Sequence, residues 1–239
     1  MTGTDHARSF GAAAGAYARA RPGYPDDAVD FLAAGARRVL DLGAGTGKFT
    51  EALLRRGREV VAVEPSTRML AELRARLDVE AREGTAEATG LPDASVDAVV
   101  VAQAWHWVDP ARAVPEVARV LRPGGTLGLV WNVRDESVPW VGRVWAIAQR
   151  GTEHEMRASA GNVGAPFGAG ESFTTRFEHV TDRAGVLDLV ASRSYVIVLP
   201  EAERADVLAE VGRVLDGEFG AGAEIRVPYL THCTRFTLG

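Results

Sequence analysis

The chain has 239 residues, of which 46% are apolar, and this is enough to bury the core of one large domain. Its formal net charge of −5 argues against a nucleic-acid surface, because such a surface needs clustered basic residues to displace counterions from phosphates. Cys233 is the single cysteine, so no intrachain disulfide can form. Apolar runs are too short to span a bilayer and residues 1–21 lack a secretory core, so we expect a cytoplasmic protein without membrane partners.

Helices and strands are predicted to alternate along the first half of the chain. Two N-terminal helices are predicted over residues 5–20 and 26–35, separated by a proline- and glycine-containing turn. Strands then follow over 38–42, 59–63, 79–83, 96–101 and 126–131, with helices over 48–56, 66–76 and 111–121. This alternation implies right-handed crossovers and a parallel sheet with helices on both faces. Such sheets bind ligands at the carboxyl ends of their strands.

A glycine-rich turn follows the first predicted strand, which ends in Asp41 and Leu42. Glycines at positions 43, 45 and 47 allow positive φ angles and let a ligand approach the backbone amides closely. The next strand ends in Glu64, about twenty residues after the first glycine, where dinucleotide-type folds hold a ribose diol. Alternatively, the glycines only make a tight turn and Glu64 caps the helix after Pro65. Taken together, the order and spacing favour a nucleoside-binding site.

The residues of this turn discriminate between two nucleoside cofactors. The dinucleotide fingerprint needs a third glycine where Lys48 stands. Asp41 would also repel a pyrophosphate and attract a cation. S-adenosylmethionine offers a ribose to Glu64, carries no phosphate, and has an α-ammonium that Asp41 can hold directly or through water. An NAD(P)-dependent oxidoreductase is therefore the weaker alternative.

Residues from about 39 to 132 resemble the class I S-adenosylmethionine-dependent methyltransferases. Three further segments carry this resemblance: an adenine loop at 84–92, a fourth strand at 95–103, and a helix, turn and fifth strand at 118–127. The flanking segments 17–25 and 103–107 are similar to a small-molecule subgroup that includes trans-aconitate methyltransferases. The resemblance implies a Rossmann-like, doubly wound α/β fold with a mostly parallel seven-stranded sheet and an antiparallel edge.

We expect a single methyltransferase domain over residues 1–239. It divides into an N-terminal helical cap (1–35), a cofactor-binding core (36–132) and a variable substrate region with the last strands (133–239). In that last part, helices are predicted over 138–150, 183–191 and 201–215, and strands over 173–180 and 226–238. The glycine- and alanine-rich stretch 151–172 is interpreted as a connection or lid.

The predicted cofactor contacts combine the glycine turn with residues that the resemblance implies. They are Asp41, Gly43, Ala44, Gly45, Gly47, Glu64, Pro65, Met69, Thr85, Ala86, Gln103, Tyr17 and Arg21. Many family members have an acid where Thr85 stands; the Thr85 hydroxyl can still accept one hydrogen bond from adenine, and the Ala86 amide can donate one. Glu87 is either the missing acidic partner or a surface residue. Arg21 either neutralises a carboxylate or belongs to a structural turn.

An aromatic segment follows the fourth strand, where the transferable methyl is expected. Trp105 and Trp107 either form a wall that stabilises a sulfonium by cation–π attraction or fill a gap between helix and sheet. His106 is the candidate catalytic base, since its ordinary pKa lets it accept a proton at neutral pH; alternatively, it only shapes the pocket. The predicted substrate contacts are Trp105, His106, Trp107 and Trp131. No metal site is predicted.

The predicted function is methyl transfer from S-adenosylmethionine to a small-molecule acceptor, with release of S-adenosylhomocysteine. Oxygen, nitrogen, carbon and carboxylate nucleophiles all remain open, because the variable region has no readable motif. A non-catalytic S-adenosylmethionine-binding regulator is the second alternative. A homodimer is one open alternative for the assembly.

Overall fold

The structure is a computed structural model that describes residues 21–150 and 163–239. The predicted helix over 5–20, Tyr17, and much of the predicted connection over 151–172 lie outside these residues. None of the described helices combines the length and hydrophobicity needed to cross a lipid bilayer.

Strands and helices alternate along the described chain as predicted. The strands are β1 (Arg38–Leu42), β2 (Glu59–Glu64), β3 (Glu80–Glu83), β4 (Val96–Ala102), β5 (Leu121–Arg134), β6 (Glu171–Thr181) and β7 (Ile225–Thr237). The described helices are α1 (Asp26–Leu32), α2 (Lys48–Arg55), α3 (Thr67–Arg76), α4 (Pro110–Val120), α5 (Pro139–Ala148), α6 (Arg183–Ala191), α7 (Ser194–Ile197) and α8 (Glu201–Glu218). A short 3₁₀ helix spans Trp105–Trp107. Apart from β5 and the unpredicted α7, the elements fall close to their predicted bounds.

All seven strands belong to one sheet in the order β3-β2-β1-β4-β5-β7-β6. Strands β1 to β5 run parallel to one another, whereas β7 runs antiparallel to both β5 and β6. The sheet therefore ends in an antiparallel pair at one edge. This arrangement confirms the predicted doubly wound, mostly parallel fold.

Strand β5 begins earlier than predicted. Val96 pairs with Leu121 and Ala98 pairs with Thr126, so the residues between Leu121 and Thr126 bulge out of the ladder. A Cβ on Gly125 would lie 2.8 Å from one backbone oxygen and 2.9 Å from another. Only glycine fits at this position, because the backbone approaches so closely. The segment that is predicted to form a turn is therefore a bulge within one long strand.

Helices cover both faces of the sheet, as alternate residues of β1 show. Leu40 is buried in a cluster with Val117 of α4, whereas its neighbour Val39 is buried with Leu32 of α1 and Phe49 of α2. A further cluster joins α5, α6 and α8 to β7. The carboxyl ends of β1, β2, β4 and β5 thus lie together at one end of a rigid sheet, where the candidate site is found.

Candidate active site

The glycine turn is fastened to the neighbouring strand by its own backbone. The amides of Gly43 and Ala44 both donate to the carbonyl oxygen of Val63, at 2.8 and 3.1 Å. Gly45 and Gly47 then adopt positive φ angles of 57° and 85°, and Gly47 is the N-cap of α2. The first amides of α2 therefore face the end of the sheet.

The three glycines of the turn meet different surroundings. A Cβ on Gly47 would lie 2.8 Å from Leu77 Cδ1, and one on Gly43 would lie 3.0 Å from Ala104 Cβ. A Cβ on Gly45 would approach only Met69 Sδ, at 4.0 Å. Gly47 is thus required for packing, whereas Gly45 exposes its backbone to a space in which a ligand can lie.

Glu64 ends β2 with its carboxylate against the glycine turn. Its Oε2 accepts from the Gly45 amide at 2.8 Å and its Oε1 accepts from the Ser66 amide at 2.9 Å. Burial raises the pKa of Glu64, although these two hydrogen bonds oppose the increase. Ser66, not Glu64, caps α3, because its hydroxyl accepts from Met69. Each oxygen of Glu64 keeps further capacity to accept a hydrogen bond from a ribose hydroxyl.

Asp41 lies beneath the turn and is fully buried. Its Oδ2 accepts from the hydroxyl of Thr50 at 2.5 Å, whereas its Oδ1 has no hydrogen-bond partner. Burial raises the pKa of Asp41 to about 7; the Thr50 hydrogen bond opposes this shift and the charge of Glu64 adds to it. A buried carboxylate oxygen without a partner fits a cationic donor such as an ammonium group, so the site suits the α-ammonium of S-adenosylmethionine.

The predicted adenine loop is held from two sides. The amide and the hydroxyl of Thr89 donate to Glu116 of α4, at 2.8 and 2.6 Å. Glu87 accepts from the amide of Asp109 at 3.1 Å and from the hydroxyl of Thr85. Burial alone would raise the pKa of Glu87, but these hydrogen bonds lower it overall. The side chain of Glu87 therefore fastens the loop to the start of α4.

Asn132, near the end of β5, joins that strand to β7 and to the residue that follows β4. The side-chain amide of Gln103 donates to the Asn132 carbonyl at 3.2 Å, and Gln103 itself has a φ of 59°. The side chain of Asn132 donates to the carbonyl of Gly23 at 2.9 Å and accepts from Thr231 at 2.8 Å. The residue after Gln103, Ala104, lies against the glycine turn, since a Cβ on Gly43 would lie 3.0 Å from its Cβ. No local sequence pattern predicts the role of Asn132, since its partners lie far away in the chain.

The predicted aromatic contacts divide into buried and exposed groups. Trp105 and Trp131 are only 8% and 6% exposed and belong to the same core cluster, which favours the alternative that they fill space between helix and sheet. Trp107 is 42% exposed, and its ring lies 4.5 Å from the ring of His106. Desolvation lowers the pKa of His106, and because the residue is solvent-exposed, water moderates this effect. His106 and Trp107 are thus the pair available to an acceptor.

Arg21 contacts the segment that follows α6. Its guanidinium donates to the carbonyl of Ser192, at the end of α6, at 3.2 Å. This contact supports the structural alternative for Arg21. Tyr17 lies outside the described residues. Within residues 21–150 and 163–239, no group of three or more His, Cys, Asp or Glu side chains is placed to hold a metal ion.

The structure brings Asp41, Gly45 and Glu64 together, as the sequence predicted. It also shows supporting residues that the sequence analysis did not identify: Thr50, Ser66, Glu116 and Asn132. Ser66 had a detectable signal, since a serine directly before a helical pattern is a typical N-cap. Thr50 is a buried polar residue on α2, and its partner depends on the packing of that helix beneath the turn.

Comparison with known proteins identifies the family. Residues 40–129 match the model of a methyltransferase domain. The chain is 49% identical over 238 residues to a protein named as an uncharacterized methyltransferase of Mycobacterium tuberculosis, covering 98% of this chain and 97% of that one. It is 36% identical over 215 residues to a methyltransferase-like protein of Schizosaccharomyces pombe, covering 83% and 82%. A solved structure described as a type II methyltransferase, from Anaeromyxobacter dehalogenans, has a TM-score of 0.65 at 28% identity and covers 90% and 97%.

The chain therefore belongs to the methyltransferase family. The prediction that it is an S-adenosylmethionine-dependent methyltransferase is confirmed, and both the oxidoreductase and the non-catalytic alternatives lose their support. The likeness to trans-aconitate methyltransferases stays a prediction.

Proposed function

We propose that this enzyme binds S-adenosylmethionine across the carboxyl ends of β1, β2 and β4 and transfers its methyl group to a small molecule. The observation that carries the proposal is the pair of buried carboxylates at the glycine turn, Asp41 with an unpartnered oxygen and Glu64 bonded to the Gly45 amide. When bound, the cofactor supplies an electrophilic sulfonium methyl, and S-adenosylhomocysteine is the product that remains.

Each carboxylate is suited to one part of this cofactor. Glu64 accepts hydrogen bonds from two ribose hydroxyls while the Gly45 and Ser66 amides hold its side chain in place. Asp41 accepts from the α-ammonium, which neutralises a charge that is costly to bury alone. The predicted cofactor contacts Pro65 and Met69, and the predicted adenine contacts Thr85 and Ala86, lie on the segments that follow β2 and β3.

The chain contributes to the reaction mainly by positioning. Holding two reactants in attack geometry is worth about 7–11 kcal/mol, whereas a general base typically adds about 10²–10⁴-fold. The bonded network of Gln103 and Asn132 and the anchored glycine turn provide such a rigid frame. His106 is neutral at pH 7 because its pKa is lowered, so it is able to accept a proton from a hydroxyl or phenol acceptor.

A small acceptor is supported by charge and by exposure. The net charge of −5 does not suit a polyanionic polymer. The exposed His106 and Trp107, which follow β4, place two neighbouring aromatic rings where a small acceptor can contact them. The single, buried Cys233 is consistent with the proposed cytoplasmic location.

The test is a turnover assay that detects S-adenosylhomocysteine released in the presence of a panel of small acceptors. We expect product with at least one acceptor, and loss of product in an Asp41→Ala, Glu64→Ala double variant that stays folded. Tight cofactor binding with no turnover across a broad panel would favour a regulator. Full activity of the double variant would overturn the proposed site.

A further inference from the structure

Two arginines are buried close together beyond the end of β5. Arg134 is the last residue of β5 and is only 5% exposed, and Arg193, between α6 and α7, is 8% exposed. Val190 and Tyr195, on either side of Arg193, are buried in the same cluster as Trp145 and Tyr229, which are neighbours of Arg134, so the two arginines lie in one region of the core. Burial lowers the pKa of Arg134, and the charge of Arg193 lowers it further. Both remain protonated, since arginine does not lose its proton in proteins.

The described residues supply too little negative charge for this pair. Glu136 lies 3.2 Å from Arg134, but its side chain is 43% exposed, and no ion pair joins a described acidic residue to Arg193. Arg134 is otherwise held over the ring of Trp145, with its guanidinium carbon 4.7 Å from the ring centroid. In the described part of the chain, the buried charges of Arg134 and Arg193 face only the half-exposed carboxylate of Glu136. Burying two positive charges in this way costs free energy unless an anion binds beside them.

Other donors at the same place also lack acceptors. The Nε atoms of Arg134 and Arg193, the hydroxyl of Tyr229 and the indole nitrogen of Trp145 are buried without hydrogen-bond partners. Tyr229 pairs in register with Arg134 on the neighbouring strand β7 and is 1% exposed. Buried donors are nearly always paired, so this collection calls for an acceptor with several oxygens.

The donor cluster formed by Arg134, Arg193, Tyr229 and Trp145 lies on the acceptor side of the site. Arg134 is two residues beyond Asn132 on the same face of β5, and Asn132 is bonded to Gln103. Asp41 pairs with Val100, which pairs with Gly128, so Arg134 lies six residues further along the sheet. At about 3.3 Å per residue this is roughly 20 Å from the level of Asp41. The ammonium and carboxylate of one amino acid cannot span that distance.

We propose that the donor cluster binds an oxyanion group of the methyl acceptor, a carboxylate or a phosphate. This inference rests on the proposed methyl transfer and specifies its substrate class. Two guanidinium groups present several N–H donors in a planar arrangement that suits such a group, and the Tyr229 hydroxyl adds another donor. Bound there, the anion neutralises the arginine pair and orients the acceptor toward the end of β4.

The experiment measures binding of simple oxyanions to the full chain by calorimetry. The probes are succinate and inorganic phosphate, with uncharged succinamide at the same concentration and sodium chloride at the same ionic strength as controls. The variants are Arg193→Met, Arg193→Lys and Tyr229→Phe. Arg150→Met serves as the matched control, because Arg150 is an arginine paired with Glu210 on the surface.

We expect saturable binding of succinate or phosphate to the wild type, and the stronger of the two identifies the oxyanion. Arg193→Met should weaken this binding on the order of tenfold or more, Arg193→Lys should weaken it less, and Arg150→Met should leave it unchanged. Tyr229→Phe, which removes one oxygen only, should weaken it by several-fold and carries the test if Arg193→Met does not fold.

Cofactor binding provides the separate readout. Affinity for S-adenosylhomocysteine should be unchanged in all four variants. An equal loss of S-adenosylhomocysteine affinity in Arg193→Met would assign the donor cluster to the cofactor and overturn the proposal. Absence of saturable oxyanion binding, or an equal effect of Arg150→Met, would overturn it too. A wild type that binds the oxyanion but not S-adenosylhomocysteine would instead contradict the proposed cofactor site.

Discussion

Asp41 combines complete burial with an oxygen that has no partner, and this combination is unfavourable for the protein alone. Burying a carboxylate disfavours its charged form, so the folded protein retains a proton that the unfolded chain releases. A cationic ligand beside Asp41 reverses this balance. Stability lost at one residue is thereby recovered when the cofactor binds.

The first prediction concerns the pH dependence of this effect. Because the pKa of Asp41 is raised from 3.8 to about 7, the folded state binds more protons between these values, and its free energy of unfolding falls as the pH rises through that window. Asp41→Asn removes the decrease. In denaturant unfolding, we expect the free energy of unfolding of the variant to exceed that of the wild type by up to about 4 kcal/mol at pH 8. Near pH 4 the two values should be equal.

Asp97→Asn is the control, because it should change the stability at pH 8 in the opposite direction. Burial alone would raise the pKa of Asp97, but hydrogen bonds from the Arg38 amide, the Arg122 side chain and the Arg37 amide lower it overall. Asp97 therefore stabilises the fold above its ordinary pKa, and this contribution is lost as the pH falls. Asp97→Asn should be less stable than the wild type at pH 8. If Asp41→Asn also loses stability at pH 8, the charged form of Asp41 stabilises the fold, and the prediction is wrong.

The second prediction concerns Glu64→Gln. The amide would present an N–H group toward the Gly45 or Ser66 amide and would remove the charge from the ribose site. Hydrogen bonds to a charged group are worth about 1.5–3 kcal/mol, so we expect S-adenosylhomocysteine affinity to fall roughly 10²-fold in calorimetry. Glu83→Gln is the matched control, since Glu83 pairs with Glu64 in register on β3 but is exposed. An equal loss of affinity in Glu64→Gln and Glu83→Gln would show that Glu64 does not bind the cofactor.

In the turn between β1 and α2, Gly45 and Gly47 are needed for different reasons. Gly47 allows α2 to begin close to α3, and Gly45 leaves space above the turn. Both have positive φ angles, so a side chain at either position costs about 1–2 kcal/mol before any clash. The difference between them therefore lies in what the added Cβ meets.

The third prediction compares Gly45→Ala with Gly47→Ala. Gly45→Ala should lose about 1–2 kcal/mol of stability and at least roughly tenfold in S-adenosylhomocysteine affinity, because its Cβ occupies the ligand space. Gly47→Ala should lose more stability, because its Cβ would lie 2.8 Å from Leu77 Cδ1 and 3.0 Å from Leu73 Cγ, so both leucine side chains would have to shift. Gly57→Ala has a φ of 69° and open surroundings, so it should match Gly45→Ala in stability and keep full affinity. Unchanged S-adenosylhomocysteine affinity in Gly45→Ala would show that the cofactor does not bind against the glycine turn.

Elements with a local signal could be predicted, and those defined by distant pairing could not. The strands ending in Asp41 and Glu64 are apolar runs bounded by glycine or proline, and the structure places them as predicted. At the start of β5 the sequence predicts a turn, because the pairing of Leu121 with Val96 depends on a neighbouring strand. Asn132 and Thr231 are 99 residues apart, and their contact follows only from the register of β5 against β7.

Across the whole molecule, the two parts of the proposed site come from different parts of the chain. The cofactor residues Asp41 and Glu64 lie on parallel strands whose ends are fixed by the local motif. The donor cluster is built by the last residue of β5, by Trp145 of α5, and by Arg193 and Tyr229 from the C-terminal third. The segment at 21–25 contacts residues next to each part: Gly23 accepts from Asn132, which is bonded to Gln103, and Arg21 donates to Ser192, which precedes Arg193. Cofactor specificity can therefore stay constant in this fold while the acceptor region varies.

The last prediction uses the stability of the full chain to report on the cofactor. A ligand that binds only the folded state at 100 times its dissociation constant stabilises it by about 2.7 kcal/mol, which corresponds to roughly 5–10 °C in Tm for a chain of this size. S-adenosylhomocysteine should produce a shift of this order in a thermal unfolding scan, and NAD⁺ at the same concentration should produce none. Because Asp41 disfavours a pyrophosphate and Lys48 stands where the dinucleotide fingerprint needs glycine, the discrimination should be large. A shift with NAD⁺ and none with S-adenosylhomocysteine would refute the cofactor assignment, whatever the acceptor proves to be.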